Sequence, residues 1–243
     1  MIDKSSFISG ITSVFRLNGF SSMLNIERAE KFYALTELML AENEKYNLTA
    51  IKEPKKIILN HYADCAALAE ILPKNARIAD IGCGAGFPTL PIAILRPDIS
   101  VLGIDSTAKR IGYANMAAGE LGLTNVKAIA ARAEDVCHTV LRESFDVVTA
   151  RAVAELRVLS ELCLPLVSVG GKMIAMKGKN AEVELSAAKR AIAMLGGKIS
   201  ATHQVRLSDG EEELIHPLIM IDKKMKTPVA YPRAFAQISK KPL

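Results

Sequence analysis

A chain of 243 residues, half of them hydrophobic, is long enough for one full α/β domain with an accessory segment. No run approaches the roughly eighteen uninterrupted apolar residues of a membrane span, and Asp3 and Lys4 precede a mixed polar stretch where a secretory leader would be basic and then apolar, so a cytoplasmic protein is expected. The net charge of +5 is carried by the end of the chain: residues 222–243 hold six basic residues and one acid, and the first 221 residues sum to zero.

In chain order, residues 28–43 place Phe32, Leu35, Leu38 and Met39 at helical spacing, and residues 54–71 repeat the pattern with Ile57, Ile58, His61, Ala66 and Leu68. The N-terminal quarter is therefore predicted to be helical. From Ala76 the pattern changes to short β-rich runs, near 77–81, 100–104, 125–130, 145–149 and 172–176. Helices fill the intervals, near 88–95, 107–121, 134–142, 155–166 and 181–195. This alternation predicts an α/β fold, a parallel sheet with helices on both faces. Two further runs, 198–206 and 214–221, are close enough in sequence to form an antiparallel edge pair. The expected organisation is an N-terminal helical extension packed on the core (1–70), an α/β core (71–221) and a basic C-terminal tail (222–243). Cys65, Cys83, Cys137 and Cys163 are widely spaced, with no C-x-x-C and no histidine at ligand spacing, so neither a metal site nor a disulfide framework is expected.

The first strand ends in Asp80 and runs into glycines at alternate positions, Gly82, Gly84 and Gly86, before a helix-like stretch. Glycines there serve a tight turn and allow a ligand to approach the main chain. The second strand ends in Asp105, where a carboxylate can accept two hydrogen bonds from a ribose diol. A dinucleotide fingerprint would need glycine at position 87, which is Phe87, and a pyrophosphate would avoid the carboxylate of Asp80. An acid followed by G-x-G-x-G favours S-adenosylmethionine, whose sulfonium and ammonium groups are cationic, over a nicotinamide cofactor or a structural glycine turn.

Ligands of such sheets bind beyond the carboxyl ends of the strands. Those ends carry Asp105 with Ser106, Ala133 with Glu134, Arg151, and Lys177. Glu134 is positioned to meet an adenine amino group, or else it only compensates a helix N-terminus. Arg151 ends an apolar run, where a charge needs a partner: either it lines the cleft between donor and target, or it forms an ion pair with a nearby carboxylate such as Glu155. His61 and Asp64, on a helix before the core, are candidates to position a substrate, or form a structural pair. Lys177 either contacts a phosphate or carbonyl of the target or compensates nearby acids. The tail is either a solvated end or a phosphate-binding arm whose Tyr231 and Phe235 stack on bases.

Taken together, these segments resemble the RsmG (GidB) family of bacterial small-subunit rRNA guanine-N7 methyltransferases. The likeness covers nearly the whole chain: KYNLTAI from Lys45, HYADC from His61, IADIGCGAGFPTLPIAILRP, GIDSTAKR, AARAED, ARAVAELRVLSELCLPLVSVGGKMIAMKG, and an end with YPR and KKPL. The resemblance implies a class I S-adenosylmethionine-dependent methyltransferase acting on 16S rRNA or the small ribosomal subunit, expected here as a monomer without metal. It implies that the donor contacts Gly82, Gly84 and Phe87, Ala133 and Glu134, and Arg151, with its ribose on Asp105 and Ser106. Cys65 stands where the family usually has serine, Thr89 where it often has glycine, and Phe235-Ala236-Gln237 is an unusual tail; these departures affect packing more than chemistry. The chain also lacks the Pro-Pro of exocyclic-amine methylases and a cysteine suited to attack on cytosine, as expected for transfer to a ring nitrogen.

Overall fold

The computed structural model describes residues 2–151 and 153–243. Seven strands form one sheet: β1 (Arg77–Ile81), β2 (Ser100–Asp105), β3 (Val126–Ala130), β4 (Phe145–Arg151), β5 (Val167–Met176), β6 (Gly197–Ser208) and β7 (Glu213–Lys223). Their spatial order is β3-β2-β1-β4-β5-β7-β6. The first five are parallel; β7 runs antiparallel to β5, and β6 closes the edge antiparallel to β7. This matches the predicted parallel sheet with an antiparallel edge pair.

Helices α1 (Lys4–Leu17), α2 (Ile26–Tyr46), α3 (Pro54–Ile57) and α4 (Asp64–Glu70) build the N-terminal extension. The first two are started by side chains that satisfy free amides: Asp3 accepts from the N–H of Ser6, and Asn25 from that of Arg28. A π-helical segment, Ile58–Ala63, joins α3 to α4. Phe7, Ile11, Phe15, Phe32, Leu35 and Tyr62 bury one face of the extension in the same apolar cluster as Ile78 and Val147 of the sheet. The extension is thus continuous with the core.

Helices α5 (Thr89–Leu95), α6 (Ala108–Glu120), α7 (Ala133–Val136), α8 (Leu156–Cys163) and α9 (Ala181–Met194) follow successive strands. The helix predicted over 134–142 is only the single turn α7. Thr139 hydrogen-bonds back to the carbonyl of Val136 and accepts from the N–H of Leu141, and Glu143 adopts a positive φ of 50°, so side-chain and turn bonds replace the helical ones.

The basic end is not a free arm. Lys223 still belongs to β7 and is buried, donating to the carbonyl of Leu164 and to Thr227. Arg142 donates to the carbonyls of Thr227 and Tyr231 at 2.9 Å each. Arg233 forms a two-pronged pair with the fully buried Glu161, at 2.8 and 2.6 Å. The last helix, α10 (Phe235–Lys240), inserts Ile238 against Val158 and Leu162 of α8. Of the tail's six cations, Lys226, Lys240 and Lys241 remain exposed without an ion pair among the described residues.

Candidate active site

The glycine turn after β1 is shaped by its own backbone. Gly82 takes φ +73°, and a Cβ there would lie 2.5 Å from Val153 Cγ2. The space over Gly82 is thus limited by Val153 as well as by any ligand. The N–H of Gly84 donates to Asp105 Oδ2 at 3.0 Å, while Asp105 Oδ1 accepts from the N–H of Thr107 at 2.8 Å. Each oxygen keeps a further lone pair, so the carboxylate is fixed in orientation and still able to accept from a diol.

Gly82, Asp105, Ser106, Ala133 and Glu134 line one cavity of about 220 Å³ at the ends of β1, β2 and β3. The sequence prediction had these five together. Glu134 is 7 % exposed, and its nearest cation, Arg132, is 3.7 Å away, so most of its accepting capacity is uncommitted. Val153 and Phe235 complete the walls. Phe235 comes from the tail and is a cavity residue that the sequence reading did not place here: the basic charge around it suggested base stacking instead. A larger hollow of about 540 Å³ between α9 and the outer sides of β6 and β7 has neither the glycine turn nor the paired acids.

Asp80 lies beneath this turn and is fully buried. Its Oδ2 accepts from the Thr89 hydroxyl at 2.5 Å, and its Oδ1 has no partner among the described residues. Burial raises the carboxyl to about 7, against the lowering effect of Thr89 and of the Arg151 charge. An unpaired buried acceptor beside a glycine turn suits a cationic ligand group, so these residues fit S-adenosylmethionine. Thr89, one of the departures from the family, therefore touches the chemistry of the turn as well as its packing.

Of the other predicted donor-binding residues, Gly84, Phe87 and Arg151 do not line the cavity. Phe87 and Arg151 belong to a second group, with His61 and Asp64, beside the ends of β1 and β4. Arg151 donates to Asp64 Oδ2 at 3.2 Å and to the carbonyl of Asn60 at 3.3 Å. Its guanidinium lies 5.7 Å from the centre of the Phe87 ring, which is tilted against His61 at 4.7 Å. Glu155, the carboxylate offered from sequence in the ion-pair alternative, instead faces Arg157 at 3.7 Å.

A guanidinium has no acceptor, so its 3.4 Å contact with His61 Nδ1 makes that nitrogen the acceptor and leaves Nε2–H to donate to Thr49 Oγ1 at 3.1 Å. Burial, and then the Arg151 charge, lower the imidazole to about 4, so His61 is neutral at pH 7 with both nitrogens engaged. Asp64 Oδ1 accepts from His216 Nε2 of β7 at 2.5 Å. His216 was not predicted, although alternation in the strand predicted over 214–221 already sets it on the face of Leu214 and Leu218. Of the two readings of Lys177, the structure shows the compensating one: its side chain is 8 % exposed and held by Glu184 at 2.6 Å and by the carbonyl of Ala154 at 2.7 Å.

The sequence model of the family described as "GidB: rRNA small subunit methyltransferase G" matches residues 28–215. Relatives named ribosomal RNA small subunit methyltransferase G include those of Clostridium perfringens (strain 13 / Type A), 45 % identical with 90 % of this chain and 92 % of the relative covered, and Streptococcus pyogenes serotype M49, 43 % identical with 93 % and 95 % covered. Among solved structures, the fold is similar to ribosomal protein L11 methylase from Lactobacillus delbrueckii subsp. bulgaricus (TM-score 0.52, 18 % identity, 68 % of this chain and 79 % of that one). It is likewise similar to cofactor-bound Rv0187 from MTB (TM-score 0.55, 19 % identity, 80 % and 91 %). The sheet is that of class I S-adenosylmethionine-dependent methyltransferases, and by the match along its length the chain belongs to the GidB family, rRNA small subunit methyltransferase G.

Proposed function

We propose that the protein transfers the methyl group of S-adenosylmethionine to N7 of a guanine in 16S rRNA, with the donor in the Asp105–Glu134 cavity and the base presented beside Arg151. The observation that carries this reading is the β1–β4 register: Ile81 pairs with Ala150, so Gly82 of the cavity and Arg151 of the Arg151–Asp64–His61 group leave neighbouring strand ends. Bound there, S-adenosylmethionine supplies an electrophilic methyl group on a positively charged sulfonium. Asp105, oriented by Gly84 and Thr107, accepts from the ribose hydroxyls, Glu134 meets the adenine amino group, and Phe235 with Val153 shields the nucleoside from water. The free oxygen of Asp80 faces the need for a cation partner at the methionine end.

Guanine N7 has an in-plane lone pair and carries no proton at neutral pH, so the site needs no general base. The candidate bases are engaged accordingly: both His61 nitrogens are bonded, and Asp64 accepts from Arg151 and His216. The gain then comes from orientation, worth up to roughly 7 to 11 kcal/mol when the reacting atoms are held in line. Methylation leaves guanine cationic, and Asp64 offsets the Arg151 charge that would otherwise oppose this. Lys226, Lys240 and Lys241 are the tail cations free to meet rRNA phosphates. Transfer of labelled methyl to small ribosomal subunits lacking the modification tests the reading; donor binding without transfer to rRNA would refute it.

A further inference from the structure

The polar group around Arg151 extends further than substrate contact requires. Asp64 is 5 % exposed and accepts from two donors on two different strands, Arg151 of β4 and His216 of β7. His216 sits in the antiparallel edge, beyond β5, and its side chain is 11 % exposed. It stands on the inner side of β7 with Leu214 and Leu218, opposite Val205 of β6. Arg151, at 21 %, is the most exposed of the three and the one that reaches the rim. The Asp64 backbone begins α4 directly after the π-helical segment that carries Asn60 and His61, the two other Arg151 partners.

An arginine on a strand end has several rotamers, and one carboxylate contact at 3.2 Å restricts it only if the carboxylate is itself fixed. Asp64 has one oxygen for each partner. With His216 donating to Oδ1, rotation about the Asp64 side chain would break that bond, so Oδ2 stays aimed at Arg151. Burial alone would lower the His216 imidazole, but the hydrogen bond and charge of Asp64 together leave it above its ordinary value. The His216–Asp64 contact is thus favourable despite the cost of burying it.

We propose that His216 is a positioning residue for methyl transfer: through Asp64 it fixes the Arg151 guanidinium against Phe87 in the orientation that receives the target base. The proposal rests on the rRNA methylation reading. It adds that the antiparallel edge, which takes no part in donor binding, sets the geometry of the target side.

Two replacements separate this role from scaffolding. His216→Leu fills a similar volume without a donor, whereas His216→Gln places an amide N–H at about the reach of Nε2. Both are assayed for donor affinity by calorimetry and for methyl transfer to small subunits lacking the modification, with kcat and KM for the subunit resolved. Folded His216→Leu is expected to bind the donor normally and to lose roughly tenfold to a hundredfold in kcat, the scale of a misplacement near 1 Å. His216→Gln is expected to recover most of that loss. In an Arg151→Lys background, His216→Leu is expected to add less than about twofold, because the residue it aims is already altered.

The link is also read without turnover: the His216 ring, followed by NMR, is expected to titrate at lower pH in Asp64→Asn. Wild-type turnover by His216→Leu, a Gln variant as impaired as Leu, or a full multiplicative loss in the Arg151→Lys background would each overturn the proposal while leaving rRNA methylation standing. A wild-type chain inactive on such subunits would overturn both.

Discussion

Asp80 is predicted to link donor binding to pH. Its carboxyl sits at about 7 in the unliganded protein, raised by burial, and one oxygen has no partner. If the donor's ammonium binds only the carboxylate form, the binding-competent fraction is about one half at pH 7 and about one hundredth at pH 5. Affinity should then fall roughly fiftyfold over that interval, about 2.3 kcal/mol, since each unit of pKa corresponds to about 1.4 kcal/mol. The donor's own amino group, near 7.7 to 8.0, stays protonated throughout.

Calorimetry at pH 6 in two buffers of different ionisation enthalpy should register close to one proton released on binding. Asp80→Asn should bind weakly with a flat pH dependence. Thr89→Val removes the hydroxyl that lowers the Asp80 carboxyl, so the midpoint should move to higher pH. The sign for stability follows from the same shift: a raised carboxyl favours the unliganded fold fully below 3.8, and that advantage is lost as pH rises to about 7. Donor affinity independent of pH, with no proton released, would refute this account of Asp80.

Other perturbations separate the parts of the site. Asp105→Ala should weaken donor binding by roughly 1.5 to 3 kcal/mol, the range for hydrogen bonds to a charged group, and unchanged calorimetric affinity would mean the carboxylate only braces the turn. Phe235→Ala should weaken it by about 1 kcal/mol, less than a fully buried phenylalanine because the residue is 40 % exposed; an unaltered Kd would remove the tail from the donor site. Deleting the tail would also strip Ile238 and the Arg233–Glu161 pair, so the RNA question is better put to a Lys226, Lys240 and Lys241 triple glutamine variant. Its slope of log affinity for rRNA against log salt should flatten by about 2 to 3 units, and an unchanged slope would place the phosphate contacts elsewhere. Gly82→Val should lower thermal stability as well as donor binding, because the substitution meets both a positive φ and Val153.

Much of the architecture was legible because parallel strands buried on both faces are short apolar runs, and each here ends in a polar or glycine-rich turn. The cavity proposed for the donor was legible for the same reason: Gly82, Asp105, Ser106, Ala133 and Glu134 all lie at or just after strand ends, which such a sheet brings to one rim. Partnerships across the sheet were not. The Arg151 partner is 87 positions away in sequence, and the sequence neighbour Glu155 was the wrong carboxylate. Charge counting also misread the tail, because a sequence shows the positive residues of 222–243 but not that Lys223 is buried or that Glu161 waits for Arg233. For Lys177 the sequence left two readings open, and the structure shows the second, its charge being held by Glu184 and the carbonyl of Ala154.

The central claim is tested most directly by incubating the protein with labelled S-adenosylmethionine and small ribosomal subunits that lack the modification, then locating the methyl group on the rRNA. One label per subunit is expected, on N7 of a single guanine, sharply reduced but still measurable in Arg151→Lys while donor binding persists. Label on an exocyclic amine or a ring carbon, or donor binding with no label on rRNA, would contradict it.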